Sequence, residues 1–489
     1  ITHSYACPYV QCMPYLIRSA IDFDSKKFKL LQPIVHFEYG KENVNGTLRK
    51  LAEEIGRTGS KVENAINAAW ESLDKYTSGL INRGMEFLDN LGENDIALVI
   101  VSRSYNGCDR GMNLNLPEKL RDLGVVAIPM DFLPLDIEDI ARDFPNMYWK
   151  YGQRILATAR FVSKDKRLYP VYITNFGCGP DSFIIKYFAD EMKGKPFLSL
   201  EIDEHSSDVG AITRCEAFLD SLKNARSVGN AGQIKSAQSD IKKVKKRTVY
   251  VPYMLEHCKV FAAAMRANGV NGVAMPMGNR KSLDLGKKYT SGKECYPAII
   301  TTGDILQKAF SKDFDPDRSA FLMASASGPC RFGQYNKFQR MVLDNLGFSN
   351  VPIYTLDQGD KYNEDTGNMG SSFHKIAWRG IVLVDYMQKL LRHVRPYEIN
   401  KGEADQVFER LMARVETVIE NSKDIFEVSR EACEAFNKIE VDRSNPRPRI
   451  GIVGEVFVRS NDFSNNFIEK RIEKLGGEVV VPPFTEWIN

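Results

Sequence analysis

The residues with most chemical potential are nine cysteines, at positions 7, 12, 108, 178, 215, 258, 295, 330 and 433. An odd number in a chain this long does not suit a secreted disulfide framework. No CxxC pair marks a zinc ribbon or a thioredoxin-like redox site. Any site they share must therefore be assembled by the fold from distant segments. Four of them stand in one local context. Cys7-Pro8, Gly177-Cys178-Gly179-Pro180, Cys295-Tyr296-Pro297 and Gly328-Pro329-Cys330 are turns shaped by glycine or proline, placed at predicted helix starts. Proline suits the first helical turn, and glycine permits a tight approach to it. The positive end of a helix dipole favours a thiolate, and peptide N–H groups bonded to sulfur raise the potential of a cluster. Cys7, Cys178, Cys295 and Cys330 are accordingly expected to ligate one polynuclear iron–sulfur centre. Mononuclear zinc fits the same four thiolates, and spacing alone leaves open that each is a small buried hydrophobe.

The remaining candidates divide by context. Cys215, Cys258 and Cys433 sit in helical patterns among apolar neighbours and are expected to pack. Packing is also the default for Cys12. Cys108 follows the predicted strand IALVIVS and is an additional metal-ligand candidate. His205, in the loop Glu201–Asp208, is a candidate proton donor, although a loop histidine is more often solvated. Arg331, with Arg103, Tyr105 and Tyr335, follows strand ends in the sequence, where it would orient an anionic substrate or cover a cluster.

The elements that must position these residues show a βαβ grammar. The runs IALVIVS, VVAIPMD, YPVYITNF and FLSLEID are short, apolar and separated by helical stretches, as buried parallel strands are. TVYVPYM, GVAMPM, SAFLMASA and VPIYTLD repeat the layout. The fold class expected is α/β: two doubly wound, Rossmann-like parallel-sheet domains with a long connecting helix and a helical C-terminal region. The boundaries expected are 1–60 for the tail of an N-terminal α/β domain, 61–92 for the connecting helix and 93–230 for the first sheet domain. A basic linker follows at 231–247, then the second sheet domain at 248–375, helices at 376–445 and a C-terminal βαβ unit at 446–489. In such sheets ligands bind outside the carboxyl ends of the strands, where Cys108, Cys178 and Cys330 fall.

Composition limits the alternatives. The chain has 489 residues and a formal net charge of 66 − 63 = +3, which argues against nucleic acid or an anionic membrane as partner. The run Lys242–Arg247 carries no interleaved aromatic platform and reads as a solvated linker. No apolar run approaches the roughly 18 residues of a membrane span. The sequence opens ITHSYACPYV, without Met or a secretory core, and is read as a fragment of a longer, cytoplasmic chain. There is no GxxxxGK[ST] loop and no GxGxxG after a strand, so ATP or a dinucleotide is not expected on this chain.

The segments CPYVQCMPYLIRSAI, NFGCGPDSF, LEIDEHSSDVGAITR, GKECYPAIITTGDIL, GPCRFGQY and RPRIGIVGEVFVRSNDFSNN resemble the 2-hydroxyacyl-CoA dehydratase and double-cubane cluster protein superfamily, in particular its large acyl-CoA dehydratase activase-related members. The resemblance implies cysteine-bound iron–sulfur chemistry, either a [4Fe-4S] cluster or a double-cubane [8Fe-9S] cluster. Cys7, Cys178, Cys295 and Cys330 match family ligand positions, and further family cysteines lie upstream of the C-P-x-V element. It also implies an activator ATPase, separate or fused, with its own [4Fe-4S] cluster, which delivers a low-potential electron. The substrate would be a small molecule or an acyl-CoA, and a dimer is compatible. Alternatives are a 2-hydroxyacyl-CoA dehydratase subunit, a non-catalytic electron-relay scaffold and a zinc-stabilised structural protein.

Overall fold

A computed structural model describes residues 5–22, 27–225, 247–326, 328, 330–355 and 372–488. Except for Arg247, the basic linker lies outside them, as does the loop expected at 360–372 except for Ser372. The chain divides into two compact units: Ile1–Lys235 with Ser327–Gln334, and Ser236–Ala326 with Tyr335–Asn489.

In the first unit, β1 (Ala97–Val101), β2 (Val126–Pro129), β3 (Leu168–Asn175) and β4 (Leu198–Ile202) form one sheet in the order β2-β1-β3-β4. Every pairing is parallel, and Val99 stands opposite both Ile128 and Pro170. All of β1 is buried, and β3 is buried from Leu168 to Thr174. That is why these strands read as unbroken apolar runs rather than as alternations. The winding reverses between β1 and β3. The segments that leave these two strands therefore meet over the crevice where open α/β sheets hold their ligands.

Apolar residues from Val62 through Ile66, Ala69, Leu73 and Tyr76 to Leu80 recur at spacings of three or four, and they lie on a 31-residue helix, Ser60–Asn90, inside the first unit. The spacing predicts one face of a helix that joins domains; within this helix only Ile66 and Gly84 are buried, and Tyr76 is 65% exposed. Gly84 fixes the helix: a Cβ there would stand 1.9 Å from the carbonyl oxygen of Phe132. The run LLQPIVHFE, which reads as extended, pairs with no strand among the described residues and ends in a 3-10 turn, Phe37–Tyr39.

In the second unit, β5 (Thr248–Val251), β6 (Asn271–Ala274), β7 (Ser319–Leu322) and β8 (Ile353–Tyr354) repeat the parallel order as β6-β5-β7-β8. The helices Arg280–Tyr289 and Tyr296–Ala309 meet backbone to backbone, since a Cβ on Gly303 would lie 1.7 Å from the Ser282 oxygen. The helices Phe373–Val394, Glu403–Glu420 and Ile425–Asn437 share a core with Cys258–Ala267. A parallel pair, β9 (Arg449–Gly451) and β10 (Glu478–Val480), closes the unit. Bidentate ion pairs attach the last segment. Arg392 reaches both oxygens of Glu469 at 3.0 Å, and Arg395 reaches those of Glu473 at 2.8 and 2.9 Å. Among the described residues, no helix is long and apolar enough to cross a membrane.

Asp385 makes a further tie. Its carboxylate accepts from the amides of Phe484 (3.0 Å) and Thr485 (2.9 Å) and lies 3.0 Å from His257 Nε2. Burial works against its charge, but His257 and the two amides outweigh burial and hold its pKa below the usual value. A depressed acid stabilises above its unfolded pKa and loses that contribution as pH falls through the folded value. Asp385→Ala is expected to cost about 2 kcal/mol in urea unfolding at pH 7, with the difference from wild type shrinking below about pH 4.

Candidate functional site

The first unit draws three cysteine-bearing segments together through one tyrosine and one arginine. The Tyr5 amide donates to the Tyr148 carbonyl at 2.7 Å, and Tyr5 bridges Trp149 in parallel. Two residues later, Cys7 caps the helix Pro8–Ala20 from extended backbone (φ −65°, ψ 156°), with proline in the first turn. The Tyr148 hydroxyl donates to the Cys330 carbonyl. Arg331, next in the chain, donates to Ser182 Oγ at 3.1 Å, and Ser182 donates to the Gly179 carbonyl at 2.6 Å. The turns of Cys178 and Cys330 are thus bonded to each other, while Cys7 and Cys330 share Tyr148. Cys178 follows β3 after Gly177, whose φ of +67° favours glycine. The carbonyl of Cys178 then accepts from Ser182 at the start of the helix Asp181–Glu191.

Beneath the turn, Arg103 Nη1 pairs with Asp181 Oδ2 at 2.7 Å, with side chains 5% and 2% exposed. Thr174 donates to the same oxygen. Tyr105, 47% exposed, lies within electrostatic reach of both Cys7 and Cys178; burial pushes its phenol up to about 12. At Cys178 the helix-start amide pulls toward the thiolate as expected, but burial outweighs it. Burial, with the Asp181 carboxylate adding to it, raises that thiol to about 11, against the opposing pull of Arg103 and an Asp181 amide. Without an electrophile or metal, the sulfur holds its proton.

The other expected site residues are distributed as follows. Cys295 lies in the second unit, capping the helix Tyr296–Ala309. Cys108 ends a short helix, Ser104–Cys108, and lines a separate cleft of about 220 Å³ with Ile100, Asn113, Pro117 and Pro129. Burial and Asp131 push its thiol up. The His205 side chain is 85% exposed and lies 3.8 Å from Glu204. Cys12, expected to pack, is exposed; Cys215 and Cys258 are buried, and Cys433 is half-buried. All nine cysteines are thiols rather than disulfides. Among the described residues, no three or more His, Cys, Asp or Glu side chains stand together as a metal-ion site. The soft donors fit a thiolate-bound group by type, and the backbone brings their segments together. As placed, the side chains do not close on a single ion.

Residues 1–133 match the family model described as CoA enzyme activase uncharacterised domain (DUF2229). The match fits the activase-related side of the resemblance and carries no statement about a double-cubane centre. The CoA enzyme activase match includes Cys7, Arg103, Tyr105 and the whole Cys108 cleft, and ends before Cys178. No curated protein and no solved structure matches the chain. Sequence reasoning did not find Tyr148: it stands in no motif and acts through partners 143 and 182 positions away.

Proposed function

We propose that this chain is the iron–sulfur component of an ATP-dependent reductase or dehydratase system. In this reading it accepts a low-potential electron from an activator ATPase and passes it to a small molecule or an acyl-CoA. The observation that carries the reading is the bonding of the Cys7, Cys178 and Cys330 segments through Tyr148, Arg331 and Ser182. The match to a CoA enzyme activase domain supports the system to which it is assigned. Cys7, Cys178 and Cys330 would hold the group; Cys295, a ligand position that the family resemblance implies, belongs to the second unit. When bound, a [4Fe-4S] or double-cubane cluster supplies one-electron chemistry at low potential. The chain's own residues do the rest. Arg103 and Asp181 keep the turn of Cys178 fixed from below, Arg331 locks the Cys330 turn against it, and Tyr105 stands within electrostatic reach of Cys7 and Cys178.

Anaerobic reconstitution of the full chain, followed by iron and sulfide analysis and EPR, tests this. About four irons per chain or more are expected, and Cys178→Ala is expected to lose most of them. No iron after reconstitution, or zinc alone in the purified protein, would overturn it.

A further inference from the structure

Cys295 has a neighbour that its sequence context does not announce. Its Sγ lies 2.7 Å from the hydroxyl of Tyr335, and both residues belong to the second unit. Tyr335 is 4% exposed, whereas Cys295 is half-buried. Both partners are held on defined backbone. Cys295 caps its helix from φ −63°, ψ 147° with Pro297 in the first turn. Before it, the Glu294 carboxylate accepts from the Ser291 amide at 3.0 and 3.1 Å and from its hydroxyl at 3.0 Å. Tyr335 opens the helix Tyr335–Asn345. One turn on, Gln339 donates at 3.0 Å to Thr301 on the helix that Cys295 caps. The phenol and the sulfur therefore face each other across two helices fastened together. A phenol offers one proton and a thiolate offers only lone pairs, so with an anionic sulfur the bond has one direction.

We propose that Tyr335 is a positioning residue that donates its hydroxyl to the sulfur of Cys295, fixing the side-chain rotamer and stabilising the electron-rich sulfur. The consequence for a bound centre rests on the reading of Cys295 as a ligand: a hydrogen bond to a ligand sulfur raises the reduction potential. The hydrogen bond itself does not depend on that reading.

The test compares the full wild-type chain with Tyr335→Phe, which keeps the ring and removes the donor. In the metal-free protein at pH 7, iodoacetamide labelling of Cys295 is followed by peptide mapping, with exposed Cys12 as internal standard. Labelling is expected to be about threefold slower in the variant, because lost thiolate outweighs the gain in intrinsic nucleophilicity. Equal rates would overturn the proposal. Tyr335→3-fluorotyrosine preserves the packing and strengthens the donor. It should speed the reaction, and it decides the matter should the phenylalanine variant not fold. In the iron-loaded protein, the variant's potential should be more negative if Cys295 is a ligand; an unchanged potential at equal iron content would overturn the ligand reading of Cys295 and leave the bond to the labelling result. A changed labelling rate in a chain that takes up no iron would keep the Tyr335–Cys295 bond and remove the cluster reading.

Discussion

Arg103→Ala is expected to destabilise the chain by about 3–5 kcal/mol, because it leaves one charge of a buried pair uncompensated. The guanidinium and the Asp181 carboxylate are 2.7 Å apart, with side chains only 5% and 2% exposed. Burial opposes the charge on Arg103, and Asp181 more than offsets it, leaving its pKa raised. Truncating the arginine strands the carboxylate with Thr174 as hydrogen-bond donor to the same oxygen. The double replacement Arg103→Met with Asp181→Leu is expected to recover most of the loss, since two apolar groups of similar volume leave no charge to solvate. Urea unfolding of Arg103→Met, Asp181→Leu and the double variant closes a cycle that isolates the coupling. A single-variant loss under about 1 kcal/mol would mean that water reaches the pair.

Asp304→Asn is expected to stabilise the protein at alkaline pH and flatten its pH dependence. Asp304 sits on the helix Tyr296–Ala309 and is 4% exposed; its Oδ2 has no hydrogen-bond partner among the described residues. Gly278 faces it so closely that a Cβ there would lie 3.2 Å from Oδ1. Burial pushes the acid up from 3.8 to about 7, with Ser282 pulling weakly the other way. A raised acid stabilises fully below its unfolded pKa and loses that contribution as pH rises through the folded value. Between pH 4 and pH 8 this group alone should remove about 4 kcal/mol from the wild type and nothing from the variant. Parallel pH profiles of urea midpoints for both proteins would refute this assignment.

The strands were legible because β1 and β3 are buried on both faces, and continuous apolar runs such as ALVIV have few other homes. Their order in the sheet was not, since side-chain pattern records burial and carries no record of which neighbour a strand takes. Pro8 after Cys7 and Pro297 after Cys295 mark helix starts, and the helices begin there. Three things escaped. The stripe of Ser60–Asn90 gave the helix but not its exposure, because amphipathicity names a face and not what covers it. The raised thiol of Cys178 depends on how deeply the turn sinks beside Asp181, a tertiary quantity. Tyr148 was missed altogether and Tyr335 was singled out without its partner, because they act on cysteines 182 and 40 positions away through contacts that only the fold creates.

The peptide Ser327–Gln334 belongs to the first unit although the chain on both sides of it belongs to the second. No single breakpoint can therefore release the first unit intact. A fragment stopped near residue 235 would fold, if at all, without Cys330, without the acceptor of the Tyr148 hydroxyl and without the arginine that grips Ser182. Fragment expression that seeks the unit of Cys7 and Cys178 alone must carry this octapeptide along, spliced back in by a designed linker.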